Sequence, residues 1–131
     1  MYYLDANTCI YYLGGKHENI KIKILSLPPG EIGIPSIVKA ELVLGAYKSN
    51  QKKETLEKLE KFLQPFEIVP FEDQMVYQYA EIRSVLEKQG EVIGPHDMLI
   101  AAIVRYHDGV LVTNNEREFK RIRKLRIENW I

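Results

Sequence analysis

Short apolar runs alternate along the chain with longer stretches whose apolar residues recur at helical spacing. A short continuous apolar run is typical of a strand buried on both faces, whereas a stripe at every third or fourth position is typical of a helix with one buried side. The runs predict strands at residues 1–5, 32–34, 66–70 and 110–113, with a last extended piece at 125–127. Because helical stretches separate these runs, the pattern favours a mainly parallel sheet.

Turn-forming residues divide the remaining stretches into helices. Pro28-Pro29-Gly30 predicts a loop, and Gly14-Gly15 and Gly90 are placed to end helices. Ser36 is placed to cap the helix after the second strand. The predicted helices cover residues 7–13, 20–27, 37–47, 56–63, 76–89, 98–106 and 117–121. No linker-like segment interrupts the pattern, so we expect one three-layer α/β/α domain over residues 1–131, with a central sheet of four to five strands.

Composition restricts the partners and the compartment. The chain has 131 residues, 18 basic and 18 acidic, so any nucleic-acid binding must come from local patches rather than from net charge. Cys9 is the single cysteine, which excludes an intramolecular disulfide and fits a reducing compartment. No apolar stretch approaches the roughly 20 residues that span a bilayer. We therefore expect a cytoplasmic protein with no membrane partner.

Four acidic residues lie at the edges of predicted core elements. Asp5 ends the first strand and Glu118 follows the fourth; Glu41 interrupts an apolar helix and Asp97 opens another. A carboxylate removed from water costs several kcal/mol unless it is paired or holds a cation. Ligands of open parallel sheets collect beyond the carboxyl ends of the strands, so these residues can meet at one rim. Together they predict a shared site for a hard divalent cation.

Each acidic residue also has an ordinary structural interpretation. Asp5 is a suitable helix cap, a role that Asn7 can share, and Asp97 in a first turn complements the helix dipole. Glu118 fits an exposed position beside helix-capping polar residues. Glu41 has no equally good structural interpretation. The sequence of its helix predicts burial on nearly all sides, and neither an ion pair with Lys39 nor a surface position suits such a helix.

The sequence lacks the motifs of other common metal-binding, phosphate-binding and catalytic sites. One cysteine and three scattered histidines do not make a usual zinc site, and no glycine-rich phosphate loop is present. His96 lies next to Asp97, but a lone loop histidine is more often structural or solvated. The carboxylate cluster therefore remains the strongest chemical signal.

Four motifs, in order, resemble those of the PIN-domain ribonucleases. The opening MYYLDANTCI resembles the first motif of that family, and ELVLGA at residues 41–46 resembles the second. GPHDMLIA at residues 94–101 and VTNNEREF at residues 112–119 resemble the later motifs. The ending LRIENW at residues 125–130 is similar to the tail of one group of VapC-type toxins.

This resemblance implies an endoribonuclease that depends on Mg²⁺, with Mn²⁺ able to substitute. It also implies the toxin of a type II toxin–antitoxin pair, a homodimer inhibited by a VapB-type antitoxin, with transfer RNA as the expected substrate. Asp5, Glu41 and Asp97 would form the acidic core, and Glu118 would take the last acidic role. The supporting polar residues would be Asn7, Thr113 and Asn115. Hydrolysis by an activated water should leave a 5′-phosphate and a 3′-hydroxyl.

Two positions depart from the pattern of the family. Many relatives carry Asp where this chain has Asn115, so either Glu118 or this position can complete the site. Ala6 also replaces the Ser or Thr that often follows the first Asp. Asn7 and Thr8 can still supply polar contacts there.

A basic stretch follows the last motif. Residues 117–126 hold six basic side chains against one acid, Glu118. A solvated helix face is the ordinary interpretation, but closeness to Thr113 and Asn115 favours a rim that contacts phosphates. The candidate RNA-binding residues are Arg117, Lys120, Arg121 and Arg123, and the rim can be extended by Lys16, Lys48, Lys52 and Lys53. Candidates for the antitoxin surface are Tyr11-Tyr12 and residues 43–47, which can equally be core or dimer contacts.

Three other functions compete with this hypothesis. A phosphoacceptor receiver domain would have adjacent acids after the first strand, where this chain has Asp5-Ala6, and a phosphorylatable Asp after the third, where it has Pro70-Phe71. A non-catalytic binding module would keep the carboxylates only as caps, and the retained acidic set argues against it. A structure-specific DNA nuclease would use the same metal chemistry, but the chain has no obvious insertion for gripping a duplex.

Overall fold

The computed structural model describes residues 1–131 and has a five-stranded parallel sheet at its centre. The strands are β1 (Tyr2–Leu4), β2 (Ile32–Pro35), β3 (Glu67–Val69), β4 (Val110–Val112) and β5 (Arg126–Glu128). Their order across the sheet is β3-β2-β1-β4-β5, and every neighbouring pair is parallel. The predicted α/β fold with four to five strands is therefore confirmed.

Seven α-helices flank the sheet. They are α1 (Ala6–Gly14), α2 (Glu18–Ser26), α3 (Ser36–Tyr47), α4 (Lys52–Leu63), α5 (Val76–Gln89), α6 (Pro95–Tyr106) and α7 (Glu116–Phe119). Gly15 and Gly90 end α1 and α5 in the left-handed conformation, each with φ of 69°, which glycine adopts without a steric penalty. None of the helices is both long and apolar enough to cross a membrane.

The chain reverses its direction of travel across the sheet between β1 and β4. Successive connections carry it from β1 outward to β2 and β3, and it then returns to place β4 on the other side of β1. The helices leaving the two central strands therefore diverge, and a crevice opens at the carboxyl ends of these strands. Asp5 and Thr113 directly follow β1 and β4, so both lie at this crevice.

Close packing around Tyr3 holds the central strands together. The Tyr3 ring lies against Gly33 of β2 and Gly109, which precedes β4. A Cβ atom on Gly33 would lie 2.9 Å from Tyr3 Cε1, and one on Gly109 would lie closer still to the ring. The ring thus occupies the space that side chains at both glycines would need.

Two local predictions were wrong. Ser36 is the first residue of α3 rather than its cap; Pro35 holds the cap position and no side chain caps this helix. In addition, α3 is not buried nearly all round, because Leu44 is 54% exposed and Tyr47 is 57% exposed. The hydropathy of α3 reflects an apolar outer face as well as a buried one.

Candidate metal centre

The predicted acidic residues meet at the crevice between β1 and β4. Asp5, Glu41 and Asp97 line a cleft of about 70 Å³ together with the polar residues Asn7 and Asn115. Its remaining walls come from Ala6, Ile100 and Phe119. Residues that are far apart in sequence are thus brought to one place by four different segments.

Asp5 combines a structural role with a place in the cleft. Its carboxylate accepts a hydrogen bond from Thr8 N at 2.9 Å and so caps α1, which confirms the capping interpretation. This bond uses Oδ1 and leaves the second oxygen of a buried carboxylate without a hydrogen bond. The N-cap role of Asp5 is therefore compatible with binding a cation.

Asp97 lies in the first turn of α6, behind Pro95 at the start of the helix. Burial raises the pKa of its carboxyl from 3.8 to about 6, and the negative charges of Glu41, Glu118 and Asp5 add to this shift. The positive charge that His96 can carry lowers the pKa but does not offset the burial. The raised pKa of Asp97 therefore reflects first the burial of its carboxyl and second the negative charges around it.

Glu41 lies on α3 and faces the same cleft. Burial raises the pKa of Glu41, the charge of Asp5 raises it further, and His96 lowers it. The ring of His96 lies beside Glu41, with Nδ1 3.9 Å from Glu41 Oε1. The His96 side chain is 70% exposed, so solvent screens this contact and it contributes little stability.

Glu118 reaches the site through Asn115. Asn115 Nδ2 donates a hydrogen bond to Glu118 Oε2 at 3.1 Å, while the backbone N–H of Asn115 donates to Thr113 Oγ1 at 2.9 Å. Asn115 holds the N-cap position of α7 but makes no capping bond with its side chain. Asn115 therefore orients Glu118 instead of capping the helix.

The residues of the cleft fit a hydrated divalent cation. No arginine or lysine forms an ion pair with any of the four carboxylates. No three carboxylate, imidazole or thiol groups stand close enough together to hold one ion by themselves. Mg²⁺ keeps several of its waters and takes only one or two carboxylates directly, so a set of oxygen donors that does not form a complete ligand cage suits it.

Thr8 does not line the cleft but holds Asp5 in place, a role that the sequence did not reveal. Its hydroxyl donates to the carbonyl oxygen of Val112 at 3.2 Å, and the Thr8 side chain is buried. The signal in the sequence was a threonine three residues after a capping aspartate, at the position where a capped N–H is expected. Its partner on β4 could not be read from the sequence.

The four basic residues predicted to bind RNA differ in their contacts. Arg117 and Lys120 are exposed and make no ion pair. Arg121 Nε lies 3.6 Å from Glu91 Oε2, and the backbone carbonyl of Arg123 accepts a bond from Arg105 Nη1 at 3.0 Å. The side chains of Arg117, Lys120 and Arg123 are thus exposed and without an ion pair, and Arg117 and Lys120 lie within two residues of Phe119 in the wall of the cleft.

An apolar groove runs beside the acidic cleft, between α1, α3 and α4. It measures about 370 Å³ and includes Glu41 in its wall, so the groove and the cleft meet at this residue. Its other lining residues are Ile10, Leu13, Gly14, Leu42, Gly45, Ala46, Thr55, Lys58 and Leu59. Tyr11 and Tyr12, the predicted anchors on α1, are instead half-buried against the rings of His17 and Phe62, respectively.

Comparisons with known proteins agree with this architecture. The model of the family described as PIN domain matches residues 2–125. The chain is 42% identical to Ribonuclease VapC2 of Rickettsia felis, over 99% of this chain and 98% of the relative. It is 37% identical to the tRNA(fMet)-specific endonuclease VapC of Salmonella typhimurium, over 97% of this chain and 96% of the relative.

Solved structures of toxin–antitoxin complexes show the same fold. A chain of VapBC2 from Rickettsia felis, bound to a DNA fragment from its promoter, superposes with a TM-score of 0.93 at 39% identity, covering 99% of this chain and 98% of that one. A chain of VapBC-1 from nontypeable Haemophilus influenzae gives a TM-score of 0.90 at 29% identity, covering 98% and 97%.

Proposed function

The chain belongs to the PIN-domain family, and from this we propose that it is a metal-dependent endoribonuclease that acts as the toxin of a type II toxin–antitoxin pair. The observation that carries the proposal is the cleft at the carboxyl ends of β1 and β4, which Asp5, Glu41 and Asp97 line and in which no arginine or lysine pairs with a carboxylate. The VapC names of relatives at 37% to 42% identity supply the class of reaction.

We assign the metal to Mg²⁺, with Mn²⁺ as a substitute, because the donor set consists of oxygen atoms. Asp5 and Asp97 would hold the ion, directly or through water, and Glu118 would complete the site. When bound, the cation lowers the pKa of water and neutralises phosphate oxygens.

The chain's own residues would orient and activate the attacking water. Burial raises the pKa of Glu41, so this side chain would accept a proton more readily than an exposed glutamate and would act as the base. Asn115 would hold Glu118 in place through their hydrogen bond, and Thr113 would fix the backbone of Asn115. Asn7 lines the same cleft and would contact the phosphate.

The proposed substrate is RNA, and more specifically transfer RNA. The support for transfer RNA is the name of the relative from Salmonella typhimurium, which is a tRNA(fMet)-specific endonuclease. Arg117 and Lys120 would contact the phosphate backbone beside the acidic cleft, since neither side chain is engaged in an ion pair.

The proposed inhibitor is a VapB-type antitoxin bound in the groove between α1, α3 and α4. Glu41 belongs to both the groove and the cleft, so a segment filling the groove would reach the acidic residues. We place the contact of the expected homodimer on the outer face of α3, where Leu44 and Tyr47 are more than half exposed.

Cleavage of total tRNA by the antitoxin-free protein tests this function. The wild type and Asp97→Asn would be compared in Mg²⁺, Mn²⁺ and EDTA, and the fragment ends would be sequenced. We expect discrete cuts with 5′-phosphates that disappear in EDTA and in the folded variant. Fragments that end in 2′,3′-cyclic phosphates, or cleavage that survives EDTA, would contradict the mechanism.

A further inference from the structure

The C-terminal segment Glu128–Ile131 lies against the loop between β4 and α7. Trp130 anchors it: the indole is 5% exposed, its ring centre is 5.3 Å from that of Tyr2, and Nε1 donates to Glu128 Oε1 at 3.0 Å. The segment is therefore held in place by burial of an aromatic ring rather than by polar contacts alone.

Asn129 is exposed, yet its side-chain amide makes three contacts. Nδ2 lies 3.2 Å from both Asn114 Oδ1 and Glu116 Oε2, and Oδ1 accepts a bond from the backbone N–H of Ile131 at 3.0 Å. Two acceptors on one side and a donor on the other define the orientation of the amide. Asn129 thus bridges both sides of Asn115.

The bridged loop leads directly into the acidic cleft. Thr113 N donates to the carbonyl oxygen of Glu128 at 2.9 Å, which ties the loop to the strand that carries the C-terminal segment. Thr113 Oγ1 then accepts from Asn115 N, and Asn115 Nδ2 donates to Glu118. A continuous set of hydrogen bonds connects the C-terminal segment with a carboxylate of the site.

We propose that Asn129 is a positioning residue for the metal centre, acting through the loop that carries Asn115. By fixing Asn114 and Glu116, it holds the backbone on both sides of Asn115 and so keeps Glu118 directed toward the cleft. This inference rests on the proposed function, because it assigns the segment a role only if the cleft binds a divalent cation.

The alternative is that Asn129 only stabilises an exposed turn. A purely structural contact would lower the unfolding temperature but would leave metal affinity unchanged at temperatures where the protein is folded. Metal affinity, measured without any RNA, therefore separates the two roles.

The test is Mn²⁺ binding by calorimetry to the wild type, Asn129→Ala and the control Asn50→Ala, which removes an exposed amide in the turn before α4. We expect the dissociation constant of Asn129→Ala to rise about tenfold, the size typical of groups that orient metal ligands, and that of the control to stay the same. Hydrogen exchange at the amides of Thr113 and Asn115 should also accelerate in metal-free Asn129→Ala.

Exchanging donor and acceptor between residues 129 and 116 should restore the metal affinity that a single substitution removes. Asn129→Asp cannot donate to Glu116 and adds a like charge beside it, so it should weaken Mn²⁺ binding at least as much as the alanine variant. Adding Glu116→Gln supplies a donor for the new carboxylate and should restore most of the affinity.

The outcomes distinguish this inference from the proposed function. If the wild type does not bind Mn²⁺, the proposed metal centre is wrong and the role of Asn129 falls with it. If the wild type binds and Asn129→Ala binds equally well, only the positioning role is overturned.

Discussion

The hydroxyl of Thr8 donates a hydrogen bond to the carbonyl oxygen of Val112 over 3.2 Å, although 104 residues separate the two positions. The same carbonyl accepts the backbone N–H of Asp5 at 3.1 Å. The end of β4 is therefore bound twice to the start of α1. This arrangement fixes Asp5, which caps α1, relative to the loop that carries Asn115.

Replacement of Thr8 by valine tests the importance of this link. Valine has nearly the same shape but no hydroxyl, so the carbonyl of Val112 loses one hydrogen bond, and we expect the free energy of unfolding to fall by about 1 kcal/mol. Mn²⁺ affinity should fall as well, because Asp5 loses its fixed distance from the β4 loop. Thr8→Ser keeps a hydroxyl and should retain the Mn²⁺ affinity of the wild type. An unchanged Mn²⁺ affinity in Thr8→Val would show that the hydrogen bond between Thr8 and Val112 does not affect the metal centre.

Asp97 predicts a stability that depends on pH in the metal-free protein. Its folded pKa of about 6 lies above the usual 3.8, so the fold disfavours the ionised form. Below about pH 4, Asp97 is protonated in both the folded and the unfolded state, so its ionisation does not affect the free energy of unfolding. As the pH rises, ionisation favours the unfolded state, and this destabilisation is complete above about pH 6. Asp97→Asn cannot ionise and should be more stable than the wild type at pH 7.5 by about 1–2 kcal/mol, a value reduced for partial exposure.

Chemical unfolding in EDTA at pH 4 and pH 7.5 measures this difference. The two proteins should be nearly equal in stability at pH 4. Added Mg²⁺ should then stabilise the wild type but not the variant, because a ligand stabilises only the state that binds it. A variant that is less stable than the wild type at both pH values would show that Asp97 is a structural residue.

The elements of the fold were predictable from local pattern, whereas the meeting of the site residues was not. Gly90 ends α5 where the sequence predicted, since a left-handed residue at a helix end is a local requirement. The bond between Thr8 and Val112 depends on which strands become neighbours, and that pairing is decided by contacts distant in sequence.

The burial of α3 shows a second limit of the sequence. Apolar residues on several sides of a helix predict burial all round, yet Leu44 and Tyr47 face outward. Hydropathy identifies residues with apolar side chains, but it does not tell whether they pack against the same chain or against another molecule. Glu41 therefore belongs to the cleft for a different reason than its helix suggested: it lies where α3 passes the crevice.

Asn115→Asp tests which residue completes the acidic set. Asn115 lines the cleft itself, whereas Glu118 interacts with the site through it. An aspartate at 115 would place a carboxylate in the cleft, so we expect tighter Mn²⁺ binding in this variant and weaker binding in Asn115→Ala.

A double-mutant cycle with Glu118→Gln completes that test. In the wild type, Glu118→Gln should weaken Mn²⁺ binding about tenfold, whereas in the Asn115→Asp background it should cost less than about twofold. Equal losses in both backgrounds would mean that the two positions act independently.

If the antitoxin binds in the groove between α1, α3 and α4, a charged residue in this groove should weaken antitoxin binding. Leu13 lines the groove and is 41% exposed, so Leu13→Glu should leave the fold intact while placing a charge on the apolar surface. We expect affinity for the cognate antitoxin to fall about thirtyfold or more, as for a central interface residue, with RNase activity unchanged. Leu25→Glu is the control, since Leu25 is 65% exposed on α2 and lies outside the groove. Equal losses from both variants would move the antitoxin site away from the groove.

Arg117 and Lys120 predict the salt dependence of RNA binding. Each phosphate contact releases counterions, so removing both cations should weaken binding to tRNA and reduce the slope of log affinity against log salt by about 1 to 2. The measurement uses Asp97→Asn as the background to prevent cleavage, with titrations from low to moderate salt.

The control removes the same charge elsewhere. Lys23→Ala with Lys61→Ala removes two exposed lysines, one on α2 and one on α4, that make no ion pair and do not line the cleft. Because these residues lie away from the cleft, this pair should leave the salt slope unchanged. If both pairs lower the slope equally, RNA responds to overall charge; if Arg117→Ala with Lys120→Ala has no effect, the phosphate-contacting rim does not include the residues nearest the acidic cleft.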